Sequence, residues 1–278
     1  HQHQVSVSGG SEKVQYYVSG SYMDQEGTII GSNFNRFSLR SNLDAQVKSW
    51  LKMDINLSYS NTNDDLKLAD SEQGLIRYSL TSLPDIPIYD VDGNYSSTVR
   101  EGYTNPNPIA LAMEDDILLN RQKINGNIFA DITLLKNLVW RSEIGFDIGS
   151  STGERYKPQI HLGVRVRDTN ESNISYNKNI FWQLKNYLTY SNTFGKHNIT
   201  AMLGQECWES RWENSSIFNS KLPSDEVHNP ALGTGKPTIS HGFGSAAMSS
   251  FFTRETYNYD NRYYLTYTYR YDGSSNFG

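Results

Sequence analysis

The chain has 278 residues, a formal net charge of −5, and 37% apolar and 13% aromatic residues, with 19 tyrosines and a single cysteine, Cys207. The acidic balance and the lack of a basic run exclude a nucleic-acid binder; one cysteine leaves neither a disulfide framework nor a paired-cysteine metal site. No run approaches the roughly 18 consecutive apolar residues a membrane helix needs, which excludes helical spanning and leaves a strand-built barrel open.

Taken in chain order, period-two alternation dominates. Segments near 3–9 and 14–24 flank the tight link GGSEK. In RFSLRSNLDAQV, Phe37, Leu39, Leu43, Ala45 and Val47 share one face, against Arg36, Arg40 and Asp44 on the other. WLKMDINLSYS repeats this, with Leu51, Met53, Ile55, Leu57 and Tyr59 opposing Lys52 and Asp54. Further alternating segments fall near 121–134, 137–149, 178–191, 196–209, 246–257 and 261–271, which with those near 35–46 and 50–61 makes ten. Most are about ten residues long, the length of a tilted membrane-crossing strand.

The connections alternate short and long. GGSEK, VKSW, LLKN, TFGKH and YDN are tight, while the others run over DQEGTIIGSN, the stretch after Ser60, 150–177 and 210–245. One sheet edge therefore carries turns and the other loops, an asymmetry of transmembrane barrels. The polar face also holds Asp131, Arg141, Glu143, Asp147, Lys185, Arg262 and Arg270. A water-filled lumen accepts such charges, whereas a dry core would have to pair each one. The predicted fold is all-β: an antiparallel membrane barrel wall of about ten strands with long outer loops. The alternative is a soluble all-β carbohydrate-binding or hydrolytic module.

The insertion over 62–120 has its own character. DSEQGLIRYSLTSL predicts a short helix capped by Asp70 or Ser71, Asp92-Gly93 predicts a turn, and NPIALAMED predicts a second helix. It is expected to be a folded extracellular unit within the barrel sequence 1–278.

No Walker loop, Gly-x-Ser-x-Gly or His-Glu-x-x-His occurs, and no catalytic residue is assigned. His1 and His3 share a strand face but lack a third ligand, so no metal is assigned. The acid pairs Asp64-Asp65 and Asp115-Asp116 are expected in solvated loops. Aromatic residues on the long-loop side, Tyr89, Tyr95, Tyr103, Tyr156, Trp208, Trp212 and Phe243, are the candidates for ligand or lid contact, because aromatic faces stack on sugar rings and side chains. In YNYDNRYYLTYTYRYD, a turn at Asp260-Asn261 would leave Tyr263, Tyr267, Tyr269 and Tyr271 facing lipid. Tyr257, Tyr259 and Tyr263 would form a girdle at the turn side, and Tyr269 and Tyr271 one at the loop side.

Four blocks carry a family resemblance: HQVSVSGGSEKVQYYVSGSYMDQEGTI, FNRFSLRSNLDAQVKSWLKMDINLSYS, LPDIPIYDVDGNY and YNYDNRYYLTYTYRYDGSSNFG. They resemble, in order, hairpins and a loop of the SusC/RagA class of TonB-dependent outer-membrane transporters. The resemblance implies a 22-stranded barrel in the outer membrane, of which this chain is a middle portion. The signal peptide, the plug and the remaining strands are then expected outside it. It also implies a SusD-like surface lipoprotein as lid, energy delivered by TonB-ExbB-ExbD through the plug, and import of oligosaccharides or oligopeptides without a cofactor.

Overall fold

The computed structural model describes residues 1–67, 75–96, 105–162 and 165–277. Ten strands pair antiparallel with their neighbours in chain order to form one sheet. They are β1 (Gln2–Gly10), β2 (Val14–Glu26), β3 (Asn33–Lys48), β4 (Leu51–Leu66), β5 (Asp116–Leu135), β6 (Leu138–Lys157), β9 (Glu171–Phe194), β10 (His197–Ser220), β11 (Thr238–Tyr259) and β12 (Tyr263–Ser274). A separate two-stranded hairpin, β7 (Ile160–Leu162) and β8 (Arg165–Arg167), lies between β6 and β9. Two short helices, α1 (Leu75–Thr81) and α2 (Pro108–Ala112), sit between β4 and β5.

All ten expected segments are strands, but several run well past their expected loop-side ends. β9 and β10 reach 24 residues each, and the β10–β11 ladder continues to Phe218↔Thr238, so the loop expected over 210–245 shrinks to 221–237. The physical reason lies in the side chains. Beyond Cys207 the face that was apolar carries Glu209, Arg211 and Glu213, so hydropathy stops alternating while the backbone ladder goes on. At the other end, Asp260 and Asn261 both take positive φ, 51° and 53°, within the three-residue link between Tyr259 and Tyr263, where the Arg262 amide donates to the Tyr259 carbonyl at 2.9 Å.

The register sorts the two faces. One row links Tyr16, Leu43, Ile55, Ile128, Ile144 and Leu184 across six strands. The adjacent row, on the other face, links Asp44, Asp54, Phe129, Glu143, Lys185, Glu206 and Asp272. Charges on this polar face meet across strands: Lys52–Asp44 at 2.7 Å, Arg141–Asp131 at 2.5 Å, Lys123–Asp147 at 2.8 Å and Arg270–Glu206 at 2.9 Å. The Arg141 guanidinium also lies 4.2 Å from the centre of the Phe129 ring.

The turns step steadily along the ladder. The pair Gly10↔Gln15, next to the first turn, lies level with Ser250, whereas the last turn closes at Tyr259↔Tyr263, nine residues further on. Nine residues over eight strand steps, at about 3.3 Å per residue and 4.8 Å per step, gives a strand tilt of roughly 40° from the normal to the line of turns. That tilt matches a barrel wall. The sheet has no dry core of its own: the buried apolar side chains among the described residues are Leu75, Ala112, Tyr156 and Leu222, all at the loop end. Val5 at 73% and Leu203 at 64% exposure show how open the apolar face is.

Candidate ligand cleft at the loop rim

A concavity at the loop rim is built by the insertion after β4 and the end of β6. A tight hairpin brings Tyr89 opposite Tyr95, and Asp90 shapes its tip. Its Oδ1 accepts from the amides of Asp92 and Asn94, each at 2.9 Å, and Gly93 supplies a φ of +83°. The predicted Asp92-Gly93 turn is therefore present. The rings of Tyr89 and Tyr95 stack at 5.3 Å with 24° between planes. Burial, and then the neighbouring Tyr89, hold the Tyr95 hydroxyl above its usual pKa.

Helix α2 forms the second wall. Asn107 caps it, Oδ1 accepting from the amides of Ile109 at 3.0 Å and Ala110 at 3.3 Å. The same side chain donates through Nδ2 to the carbonyl of Ile88 at 2.9 Å, which ties the helix to the tyrosine hairpin. Pro158, Gln159 and His161 close the third side, and the cleft encloses about 750 Å³. Glu114 forms part of its lining.

The acid pairs correct the sequence expectation. Asp64 and Asp115 are buried rather than solvated, because strands β5 and β6 bring arginines to them. Arg121 pairs with Asp64, Arg155 with Asp115 at 2.6 Å, and Arg167 with Glu114. Asp115 Oδ1 accepts no hydrogen bond but lies 3.8 Å from Arg167, so it is paired by charge alone. The helix expected over 70–83 begins at Leu75 in the described residues, and its proposed caps, Asp70 and Ser71, lie outside them.

Tyr156 belongs to a different assembly. It is 4% exposed, stacks on His228 at 3.9 Å, and donates its hydroxyl to Asp225. It is thus packing, not an open ligand face. Asn170, 2% exposed, completes this clamp: Nδ2 donates to Asp225 at 3.1 Å and to the Leu222 carbonyl, and Oδ1 accepts from the Leu222 amide at 2.7 Å. Burial, aided by the hydrogen bond to Asp225, pushes the Tyr156 hydroxyl far above its ordinary pKa. Burial pushes Asp225 upward, but hydrogen bonds from Tyr156, Asn170 and the Gln159 backbone outweigh it and leave its pKa lowered.

The remaining aromatic candidates separate. Trp208 and Trp212 stand on the polar face of β10, Trp208 tilted against Phe181 at 6.0 Å and Trp212 over Gly244, where a Cβ would meet the indole at 2.7 Å. Phe243 points from the opposite, outer face and is 76% exposed. Tyr103 lies outside the described residues. Among the described candidates, Tyr89 and Tyr95 share this cleft, and Trp212 and Phe243 both border a second concavity at the β10–β11 edge. Tyr257, Tyr259, Tyr263, Tyr269 and Tyr271 share the outer face; His197 lies 2.6 Å from the Tyr257 hydroxyl and 4.9 Å from the Tyr259 ring.

No family model matches the chain. It is similar to TonB-dependent receptor P3 of Formosa agariphila, 29% identical over 99% of the chain and 28% of the relative. It is also similar to TonB-dependent receptor SusC of Bacteroides thetaiotaomicron, 26% identical over 99% of the chain and 29% of the relative. Among solved structures, the RagAB peptide importer in its open-open state superposes with a TM-score of 0.84 and 26% identity, over all of this chain and 32% of that one. The chain thus spans a little over a quarter of the length of the curated relatives it matches.

Proposed function

We propose that this chain, a stretch of outer-membrane barrel wall from a TonB-dependent receptor of the SusC/RagA class, serves the import of oligosaccharides or oligopeptides. The observation that carries this reading is the tilted ten-strand sheet with one lipid-suited face and one charge-laddered face. The charged face suits a hydrated lumen, and the loop rim above it holds the cleft in which Tyr89 and Tyr95 would meet a ligand. The work is binding, gating and translocation, with no chemical step. A SusD-like surface lipoprotein would cap the rim, and TonB-ExbB-ExbD would energise release through a plug. The open apolar face tells against a soluble module, which would have to hide it.

The test uses the intact receptor that carries this segment. Cells relying on it are supplied with defined oligosaccharides and oligopeptides, and uptake is compared for wild type, a tonB deletion, and Tyr89→Ala/Tyr95→Ala. The expected result is uptake of one ligand class that is lost without TonB and sharply weakened by the double substitution. Uptake unaffected by TonB loss, or equal for every ligand with and without the tyrosines, would overturn the proposal.

A further inference from the structure

The turn edge of the sheet carries a charge pattern that neither the wall nor the cleft explains. Each of its five turns holds one cation: Lys13, Lys48, Lys136, Lys196 and Arg262. The turn segments 11–13, 48–50, 136–137, 195–196 and 260–262 contain two acids, Glu12 and Asp260, whereas the whole chain has 30 acids to 25 cations. The sign of the turn edge is therefore opposite to that of the chain. Backbone shape does not call for these residues, because positive φ at the last two turns falls on Gly195, Asp260 and Asn261.

The row is also poorly neutralised. All five cations are exposed, and Lys13, Lys48 and Lys136 have no acidic partner among the described residues. Asp260 is shared, 3.1 Å from Lys196 and 3.7 Å from Arg262, so one carboxylate faces two cations. On the polar face, Asp44 with Lys52 and Asp131 with Arg141 cancel in pairs of their own.

Height decides what such a row meets. The turns step along the ladder by the strand tilt, so their line runs level round a barrel and sets all five cations at one height. Just above that line the outer face carries the rings of Tyr16, Trp140, Phe194, Tyr259 and Tyr263. Aromatic rings suit the boundary between hydrocarbon and headgroups. Lysine and arginine stems at that edge lie along apolar surface while their charges reach the headgroup layer.

We infer that the turn row is a phosphate-binding rim, occupied by phospholipid headgroups of the leaflet on the turn side. Phosphate is the anion that this layer presents at the height of the cations. Neighbouring turns lie two strand steps apart, which at about 4.8 Å per step and roughly 40° of tilt is about 13 Å along the rim. That spacing exceeds the screening length of about 8–10 Å in physiological salt. Each cation should then hold its own headgroup, and binding should add site by site. A headgroup with net negative charge should be preferred over a zwitterionic one, on the order of fivefold per cation. The inference rests on the barrel wall and not on import, so either can fail alone.

The test uses the intact receptor, purified in detergent and stripped of lipid. Phosphatidylglycerol and phosphatidylcholine with the same acyl chains are titrated in, and native mass spectrometry counts the lipids bound. Wild type should bind phosphatidylglycerol several-fold more tightly, and the preference should shrink as salt rises. Lys13→Gln/Lys48→Gln/Lys136→Gln should hold about three fewer tightly bound phosphatidylglycerols, with the affinity of the others unchanged. Lys13→Arg/Lys48→Arg/Lys136→Arg should match wild type, as should Lys178→Gln/Arg211→Gln at the loop end. Excess inorganic phosphate should leave the lipid in place, because its acyl chains stay on the apolar wall. No headgroup preference in wild type, an unchanged lipid count in the triple glutamine variant, or an equal loss in the loop-end variant overturns the inference. Displacement by inorganic phosphate also overturns it, since the rim would then be a site for a free anion. The wild-type preference and the arginine variant keep the test decisive even where the glutamine variant assembles poorly.

Discussion

Asn170→Ala tests the clamp that ties the 221–237 loop to the strand ends. The wild-type side chain makes three hydrogen bonds, two of them with Leu222 and one with the Asp225 carboxylate. Each contributes about 1 kcal/mol net, somewhat more to the charged acceptor, and stranding the buried Leu222 amide costs about 1–3 kcal/mol further. The local opening energy should therefore fall by about 4–6 kcal/mol, which at 1.4 kcal/mol per decade is roughly a thousandfold to ten-thousandfold in the open population. The strand ladder is a separate cooperative unit and should hold. Amide hydrogen exchange on the intact receptor reads this at Leu222. The sign of the pH effect follows from Asp225. Its folded pKa lies below the unfolded one, so its stabilisation is complete above the ordinary carboxylate value of about 4 and is lost as pH falls through the folded value. The wild-type loop should thus open in acid while β9 and β10 stay protected. Leu222 exchange in Asn170→Ala within a few-fold of wild type would refute the reasoning.

Two further substitutions probe the wall. At Gly126 a Cβ would meet the Asn56 carbonyl at 2.9 Å and the Phe146 ring at 2.8 Å, so Gly126→Ala should cost about 1–3 kcal/mol, seen as a lowered urea midpoint of the vesicle-inserted barrel; an unchanged midpoint would mean the ring moves aside freely. Tyr257→Ser/Tyr263→Ser strips the turn-side girdle and should reduce the yield of inserted barrel while leaving ligand affinity of the inserted fraction intact, and equal insertion would dissolve the girdle assignment.

What the sequence made legible depended on whether a residue's role was local. Leu51 to Tyr59 alternate because one face meets an apolar surround and the other a polar one, and that contrast is written in consecutive residues. The Asp260-Asn261 turn was legible for the same reason, since residues that tolerate positive φ stand at the tip. The strand ends were not, because above Cys207 the outer face of β10 turns to Glu209, Arg211 and Glu213 while Trp208 and Trp212 stand on the inner one, so the pattern breaks before the ladder does. Nor was the clamp. Asn170 is an ordinary loop asparagine until a segment 52 residues away presents Leu222, and Asp64 looks solvated until Arg121, 57 residues on, reaches it. The aromatic candidates were only partly legible for a third reason: composition marks a ring as useful but says nothing about whether it lies on the inner wall, like Trp208, or outside, like Phe243.

The distribution of burial suggests how such a receptor can vary its ligands without losing its wall. On the proposed reading the sheet draws its stability from its ladder, irregular at Gln46/Lys48 and Thr133/Leu135, and from the membrane outside it, and neither depends on which side chains line the rim. The rim is held by polar brackets of its own: Asn107 joining α2 to the tyrosine hairpin, Arg167 joining β8 to Glu114, Asn170 joining β9 to the last loop. Among the described residues, the four buried apolar side chains lie there as well. A substitution at Tyr89 or Tyr95 should therefore be absorbed within one bracketed unit, because the contacts that fix the hairpin are the Asp90 and Asn107 hydrogen bonds rather than the rings. Changing Tyr89 or Tyr95, where a ligand is proposed to sit, and changing the residues that hold the strand ladder are separable events in this architecture.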